Sequence, residues 1–315
     1  MTATGVEGPF AVGPDDIPQL NEVFSDAFTE RYRRDGMVGV RVPALNPAIW
    51  RFSLSDADRG AMVWRDAAGA VVAFNVAHRS GHEGWMGPLA VRPDAQGRGL
   101  GKSIVRAGID WLRRSGARVI GLETMPRTVD NIGFYSSLGF VAGRLTITFT
   151  LEGADGPVER LARCGAAERD ELVAEFAAIT SVVMPGYDYR REMELTAAFG
   201  LGDTLVIRDG DRVAGFAVCH AAPLVEGRAR DELRVLKVVL ADEGHVGALV
   251  RAVSRYARES GASRAALRVQ SDYEAAYRGV VAAGGRVRWT DLRMYLDGYA
   301  ETRAAPGLVF SNWEI

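Results

Sequence analysis

The strongest constraint on the fold is a pattern that occurs twice. Val71, Phe74, Val76 and His78 return 142 positions later as Val213, Phe216, Val218 and His220. Ser-Gly-Ala at 115–117 returns at 260–262, and Phe134-Tyr135 finds a weaker echo in Ala276-Tyr277. Matches in one order at nearly one offset indicate two copies of a single αβ unit. The length agrees, because 315 residues exceed the roughly 100 to 200 of one domain. The stretch EGADGPVER, 152–160, is polar and carries Gly and Pro, as linkers do. The expected organisation is a first domain over 1–151, a linker over 152–160 and a second domain over 161–315.

Within the first copy, Asp15 and Asp16 stand before Ile17, Leu20, Val23, Phe24 and Phe28 at three- and four-residue spacing, which predicts a helix. Residues 29–60 are less regular and predict a loop and a short helix with exposed apolar groups. Residues 61–64 and 71–77, around a turn at 66–69, read as a hairpin, and 83–91 as a third strand. A helix over 100–115, a buried strand over 119–124, a helix over 130–138 stopped by Gly139 and a strand over 144–151 complete the unit.

Composition narrows the function classes. With 48% hydrophobic and 25% charged residues and a formal net charge of −2, the chain reads as a soluble globular α/β protein, with no bulk charge for nucleic acid. No run approaches the roughly 18 apolar residues that span a bilayer, and the first residues lack a basic leader, so a cytoplasmic protein without a membrane partner is expected. Cys164 and Cys219 are far apart, and His78, His82, His220 and His245 have no ligand spacing, so neither a disulfide framework nor a metal site is expected. A homodimer is left open.

The chemistry concentrates in VRPDAQGRGLGKSIV, 91–105. A P-loop would need glycine at 96, which is Gln96; a dinucleotide fingerprint starting at Gly97 would need glycine at 102, which is Lys102. Both fail by one residue. What is left is a strand ending at Val91, a turn at Pro93, and Gln96, Gly99 and Gly101 opening a helix. Such a turn bares backbone N–H groups, the helix dipole favours an anion, and Arg92, Arg98 and Lys102 add positive charge. A pyrophosphate fits; a Gly-rich turn without a ligand is the alternative.

Val91, Pro93, Gln96, Gly99 and Gly101, followed about 40 residues later by Asn131, Phe134, Tyr135, Gly139 and Phe140, are similar to the two signatures of the GCN5-related N-acetyltransferase (GNAT) family. The resemblance covers 10–150 well and 160–300 in outline. It implies an α+β fold of two tandem GNAT-like domains, each a mixed, mostly antiparallel twisted sheet flanked by helices. It implies N-acetyl transfer from acetyl-CoA to the primary amine of a small molecule by direct attack in a ternary complex, without a metal. The implied cofactor contacts are Leu89, Ala90 and Val91 along the pantetheine, then Gln96, Gly97, Arg98, Gly99, Leu100, Gly101 and Lys102 at the pyrophosphate, with Asn131 and Phe134 behind. Pro88 suits the splayed strand of such a site, although it could equally end a short strand. Tyr135 takes the place of the general acid. The family's usual glutamate is replaced by Trp85; Glu83, two residues earlier on the same strand face, is the candidate base, with His82, Glu123 and Thr124 as alternatives. Residues 28–60 and 80–86 would flank the acceptor.

The second copy has VLADEGHVGALV at 239–250 in place of the glycine loop, with Asp242 and Glu243 where a pyrophosphate needs positive charge. It is expected to be degenerate and to cover the first domain, shape the acceptor site or bind a partner. The plan is similar to that of the mycothiol synthases, except that their intact motif lies mainly in the second half. A non-catalytic acyl-CoA sensor, and a protein amine as acceptor, are the competing readings. The tail 307–315 alternates enough to form a last strand, with a frayed end as the default.

Overall fold

A computed structural model describes residues 5–314. The first half runs β1 (Glu7–Ala11), α1 (Ile17–Arg34), α2 (Pro47–Ala57), β2 (Ala61–Arg65), β3 (Val71–Ser80), β4 (Glu83–Val91), α3 (Leu100–Arg114), β5 (Val119–Thr124), α4 (Val129–Ser136) and β6 (Phe140–Glu152). The second runs α5 (Ala166–Val183), α6 (Arg190–Ala198), β7 (Gly202–Asp209), β8 (Arg212–His220), β9 (Glu232–Leu240), α7 (Val246–Glu259), β10 (Arg264–Gln270), α8 (Glu274–Ala282), β11 (Arg286–Leu296) and β12 (Leu308–Ser311). The repeat is visible atom by atom at the Ser-Gly-Ala helix ends. Ser115 Oγ donates to Leu112 O at 2.9 Å and Ser260 Oγ to Ala257 O at 3.0 Å, while Ala117 N and Ala262 N close the same turns at 3.0 and 2.8 Å.

The strands form one sheet in the order β1-β2-β3-β4-β5-β11-β6-β10-β9-β8-β7, with β12 beside β9. Among the described residues, only β4/β5 and β9/β10 are parallel. The order reveals an exchange: β11 of the second half pairs with β5, and β6 of the first half pairs with β10. Their side chains follow. Phe149 and Leu151 of β6 are buried in the second half's core, and Met294 and Leu296 of β11 in the first half's. Each such side chain contributes about 1.5–3 kcal/mol when fully buried, so neither half completes its core from its own residues.

Helix α3 presents Leu100, Ile104, Val105, Ile109 and Leu112 to one face of the sheet, at helical spacing. Helix α1 packs Ile17, Leu20 and Val23 on the other. Some boundaries differ from the sequence reading. Helix α1 continues through Arg34, because no breaker occurs before Gly36, and β6 begins at Phe140. The tail is ordered as β12 and buried through Trp313. Strand β1 has five exposed residues and thus no apolar alternation by which to predict it.

Candidate active site

Strand β4 pairs with β5 only from Glu83/Val119 to Met86/Leu122. Beyond that point the strands separate, and on its β3 side β4 bulges between Met86 and Leu89. Pro88 lies in that bulge, as its missing N–H favours. The β5-facing edge of residues 87–91 is left without a strand partner, except that Gln96 Nε2 donates to Val91 O at 2.9 Å and so fastens the loop to the strand end.

Gly97 and Gly99 adopt φ of +77° and +82°, a conformation side chains rarely take, and a Cβ at either would meet open space. The turn they make points main chain outward. Lys102 N and Ser103 N donate to Gly99 O, whereas the N–H groups of 97–101 have no acceptor among the described residues. Arg98 and Lys102 are exposed and without ion-pair partners among the described residues; Arg92 is tied to Asp94 and Asp66.

Loop and cleft open into one cavity of about 750 Å³. Of the expected cofactor residues, Leu89, Ala90, Val91, Gln96, Gly97, Gly99, Gly101, Lys102, Asn131 and Phe134 line it. Arg98 points to solvent at its rim and Leu100 turns into the core. Tyr135 lines it from α4, and burial pushes the phenol's pKa far above its ordinary value, so the proton stays on. Asn131 Nδ2 donates to Thr124 Oγ1 at 3.4 Å, linking α4 to the end of β5.

Glu83 is corrected by its surroundings. It is fully buried outside the cavity lining, behind Trp313, whose Nε1 donates to its Oε1 at 2.7 Å. Its Oε2 accepts from Tyr189 Oη at 3.0 Å and faces Lys237 Nζ at 3.5 Å. No acceptor amine in the cavity reaches it. His82 is exposed at the far end of β4. Glu123 and Thr124 do line the cavity, but Glu123 is held by Arg268 at 2.6 Å and Arg293 at 2.9 Å; those guanidiniums outweigh burial and keep its pKa low.

The far end of the cavity belongs to residues that the motifs did not indicate: Leu224, Val225, Trp289 and Asp291 of the second half, and Trp313 and Glu314 of the tail. Tyr32 of α1 lies across from them; burial, then the charges of Glu314 and Asp291, raise its pKa. Leu45 bridges Val225 and closes that side. Periodicity gives β11 as a strand, but nothing local in the sequence says that it inserts beside β5.

Among the described residues no helix is long and apolar enough to cross a membrane, and no group of three or more His, Cys, Asp or Glu side chains is placed to hold a metal ion. Residues 18–140 match the family model described as acetyltransferase (GNAT) family. A mycothiol acetyltransferase of Renibacterium salmoninarum is 33% identical over 92 residues, 24% of this chain and 27% of that protein, so the match spans about a quarter of the relative's length. A candidate acetyltransferase structure from Pyrococcus horikoshii superposes with a TM-score of 0.70 at 16% identity, covering 99% of this chain and 96% of that one. A tandem GNAT protein from the clavulanic acid biosynthesis pathway superposes at 0.58 and 12% identity over 94% and 100% of the two chains. These likenesses establish the two-unit fold.

Proposed function

We propose that the protein, whose residues 18–140 match the model of the acetyltransferase (GNAT) family, transfers an acetyl group from acetyl-CoA to the primary amine of a small molecule, by direct attack in a ternary complex. The carrying observation is the single cavity that joins a loop of free N–H groups, an unpaired strand edge and Tyr135 to an acidic far end. The fit to acetyl-CoA is chemical at each point. N–H groups of 97–101, with Arg98 and Lys102, suit a pyrophosphate, and the open edge of 87–91 suits the amides of a pantetheine arm. Acetyl-CoA supplies an activated thioester carbonyl.

The chain's own residues orient and protonate. Gln96 fixes the loop to Val91, Phe134 packs over Gly101, with its ring 3.3 Å from where a Cβ there would lie, and Tyr135 donates a proton as the sulfur leaves. The closure by Leu45 and Val225 favours a small acceptor over a protein surface. In this reading 1–151 carries the donor site and 161–315, reached through 152–160, works with it as one catalytic body, because β11 and the tail wall the acceptor end.

The test is free thiol release from acetyl-CoA across a panel of primary amines: an amino acid, a polyamine, an arylalkylamine and an aminoglycoside. Turnover with at least one is expected, and Tyr135→Phe should lower kcat by about 10² to 10⁴-fold with acetyl-CoA affinity kept. Tight CoA binding with no thiol release for any amine would instead make the protein an acyl-CoA sensor.

A further inference from the structure

The tail leads to a residue for the acceptor side of this reaction. Residues 308–313 are buried and fastened at each step: β12 pairs with β9, Lys237 Nζ donates to Ser311 Oγ at 2.6 Å, Asn312 N donates to Leu236 O at 2.8 Å, and Trp313 Nε1 is bound to Glu83. Trp313 then crosses beneath the place where β4 and β5 part. A Cβ at Gly121 of β5 would lie 2.3 Å from its ring, and a Cβ at Gly87 of β4 would lie 3.2 Å from its carbonyl oxygen. Only glycine at 121 admits that ring. The next residue, Glu314, therefore emerges into the cavity at the mouth of the split, with half of its side chain exposed.

We propose that Glu314 is the catalytic residue that takes the proton from the incoming ammonium. The inference rests on the acetyl-transfer reading above. Glu314 Oε2 is held by Arg268 of β10, and Glu314 N donates to Asn312 Oδ1 at 3.0 Å, so the carboxylate is positioned while its other oxygen has no protein donor among the described residues. Arg268 is shared with Glu123 of β5 at 2.6 Å and Asp291 of β11 at 2.9 Å, and Arg293 is shared with Glu123 and Glu301. Arg268 and Arg293 thus face four carboxyls, and Arg144 also reaches Glu301 at 3.9 Å, so the cluster is closely balanced and the half-exposed Glu314 is the carboxyl that an arriving cation meets. Of these, Glu123 stays ionised between its two arginines, and Asp291, 1% exposed at the cavity wall, is held by Arg268 and by Trp289 Nε1, which donates to it at 3.1 Å. Of the three carboxyls around Arg268, Glu314 alone is exposed, with half of its side chain open against 1% for Glu123 and 2% for Asp291. Facing it are Tyr32 of α1 and, across a second small cavity that Glu314 also lines, Asp56, His78, Glu192 and Lys237.

The step balances. The ammonium gives one proton to Glu314, its nitrogen bonds to the thioester carbonyl carbon, and the C–S bond breaks. The sulfur leaves with the proton of Tyr135, which the nitrogen's second proton replaces, and Glu314 passes its own proton to solvent.

The test uses the full chain and the best primary amine of the panel, with an ammonium pKa of about 10. In the wild type, kcat/KM for the amine should level off well below that pKa. Glu314→Gln should fall by about 10²-fold at pH 7 and then climb with unit slope to the amine's own pKa; its acetyl-CoA affinity should be unchanged and its affinity for the amine, measured by calorimetry with CoA present, weaker. Glu314→Asp should restore the early plateau. A Gln variant with the wild-type profile, or one depressed equally at every pH, overturns the proposal while leaving acetyl transfer standing. A wild type that releases no thiol with any amine removes both.

Discussion

The two halves hold the same cleft in opposite states. In the first, β4 and β5 part after Met86 and Leu122 and leave a gap; in the second, β9 and β10 part after Arg234 and Ala266, and β12 fills the space by pairing with Lys237–Leu240. The loops differ in the same sense. The 97–101 turn offers N–H groups outward, whereas Asp242 in the equivalent turn turns its carboxylate back onto Gly244 N at 2.7 Å. The second copy has supplied, from its own chain, the backbone and the anion that the first would take from a ligand. The strand that fills one gap then carries Trp313 and Glu314 to the wall of the cavity beside the other.

The comparison requires acetyl-CoA to bind once per chain. Gly99→Glu should abolish binding, because it forces a side chain into a φ of +82° and sets a carboxylate among the donors of the loop. Replacing Asp242 and Glu243 by glycine should create no second site, since β12 still lies in the gap. Calorimetry giving two sites of similar affinity, or one that survives Gly99→Glu, would break the comparison.

A smaller effect is expected at the seam. Glu83 and Lys237 come from equivalent strands, β4 and β9, and meet with side chains 0% and 4% exposed, so removing one leaves the other uncompensated. Glu83→Ala should cost about 3–5 kcal/mol, read as a lower denaturation midpoint, and a second change, Lys237→Met, should recover much of it. Slowed acetyl transfer at unchanged stability would instead return Glu83 to the reaction.

The glycine loop and the cleft beside it were legible because their geometry is local. Gln96, Gly99, Gly101 and Tyr135 owe their positions at the cavity to turn geometry and helix ends a few residues long, which spacing reveals. Glu83 misled because strand alternation gives the face of a residue but not what covers it, and the cover, Trp313, lies 230 positions away. Trp289 and Glu314 were hidden for the same reason. The repeat gave two units, yet the exchange of β6 and β11 is a choice between equivalent pairings that alternation fits equally well, and long-range packing of Phe149 and Met294 decides it.

The smallest expected effect concerns Glu192 of α6, which accepts a hydrogen bond from Ser80 Oγ of β3 across the same seam. Burial, then the charge of Asp56, push its pKa up to about 8, with Lys237 opposing. Unfolded, the group titrates near its ordinary 4.5. Between the two values the folded chain therefore holds a proton that the unfolded chain has lost, and stability from this group falls as pH rises through that window, then levels off above 8. Glutamine mimics the protonated form without titrating. Glu192→Gln should match the wild type near pH 4 to 5 and exceed it at pH 8, by on the order of 1–2 kcal/mol once relaxation of the seam has absorbed part of the shift. Asp291, lifted to about 7 by burial and then by Glu314's charge, adds a slope of the same sign in both proteins and cancels in the difference. Denaturant midpoints at pH 5 and pH 8 measure it. A constant gap between the two proteins would mean that Glu192 is ionised throughout and that Lys237 serves both Glu83 and Glu192. In that event the seam is a three-charge lock, and Glu83→Ala should cost less than the loss of an exclusive partner implies.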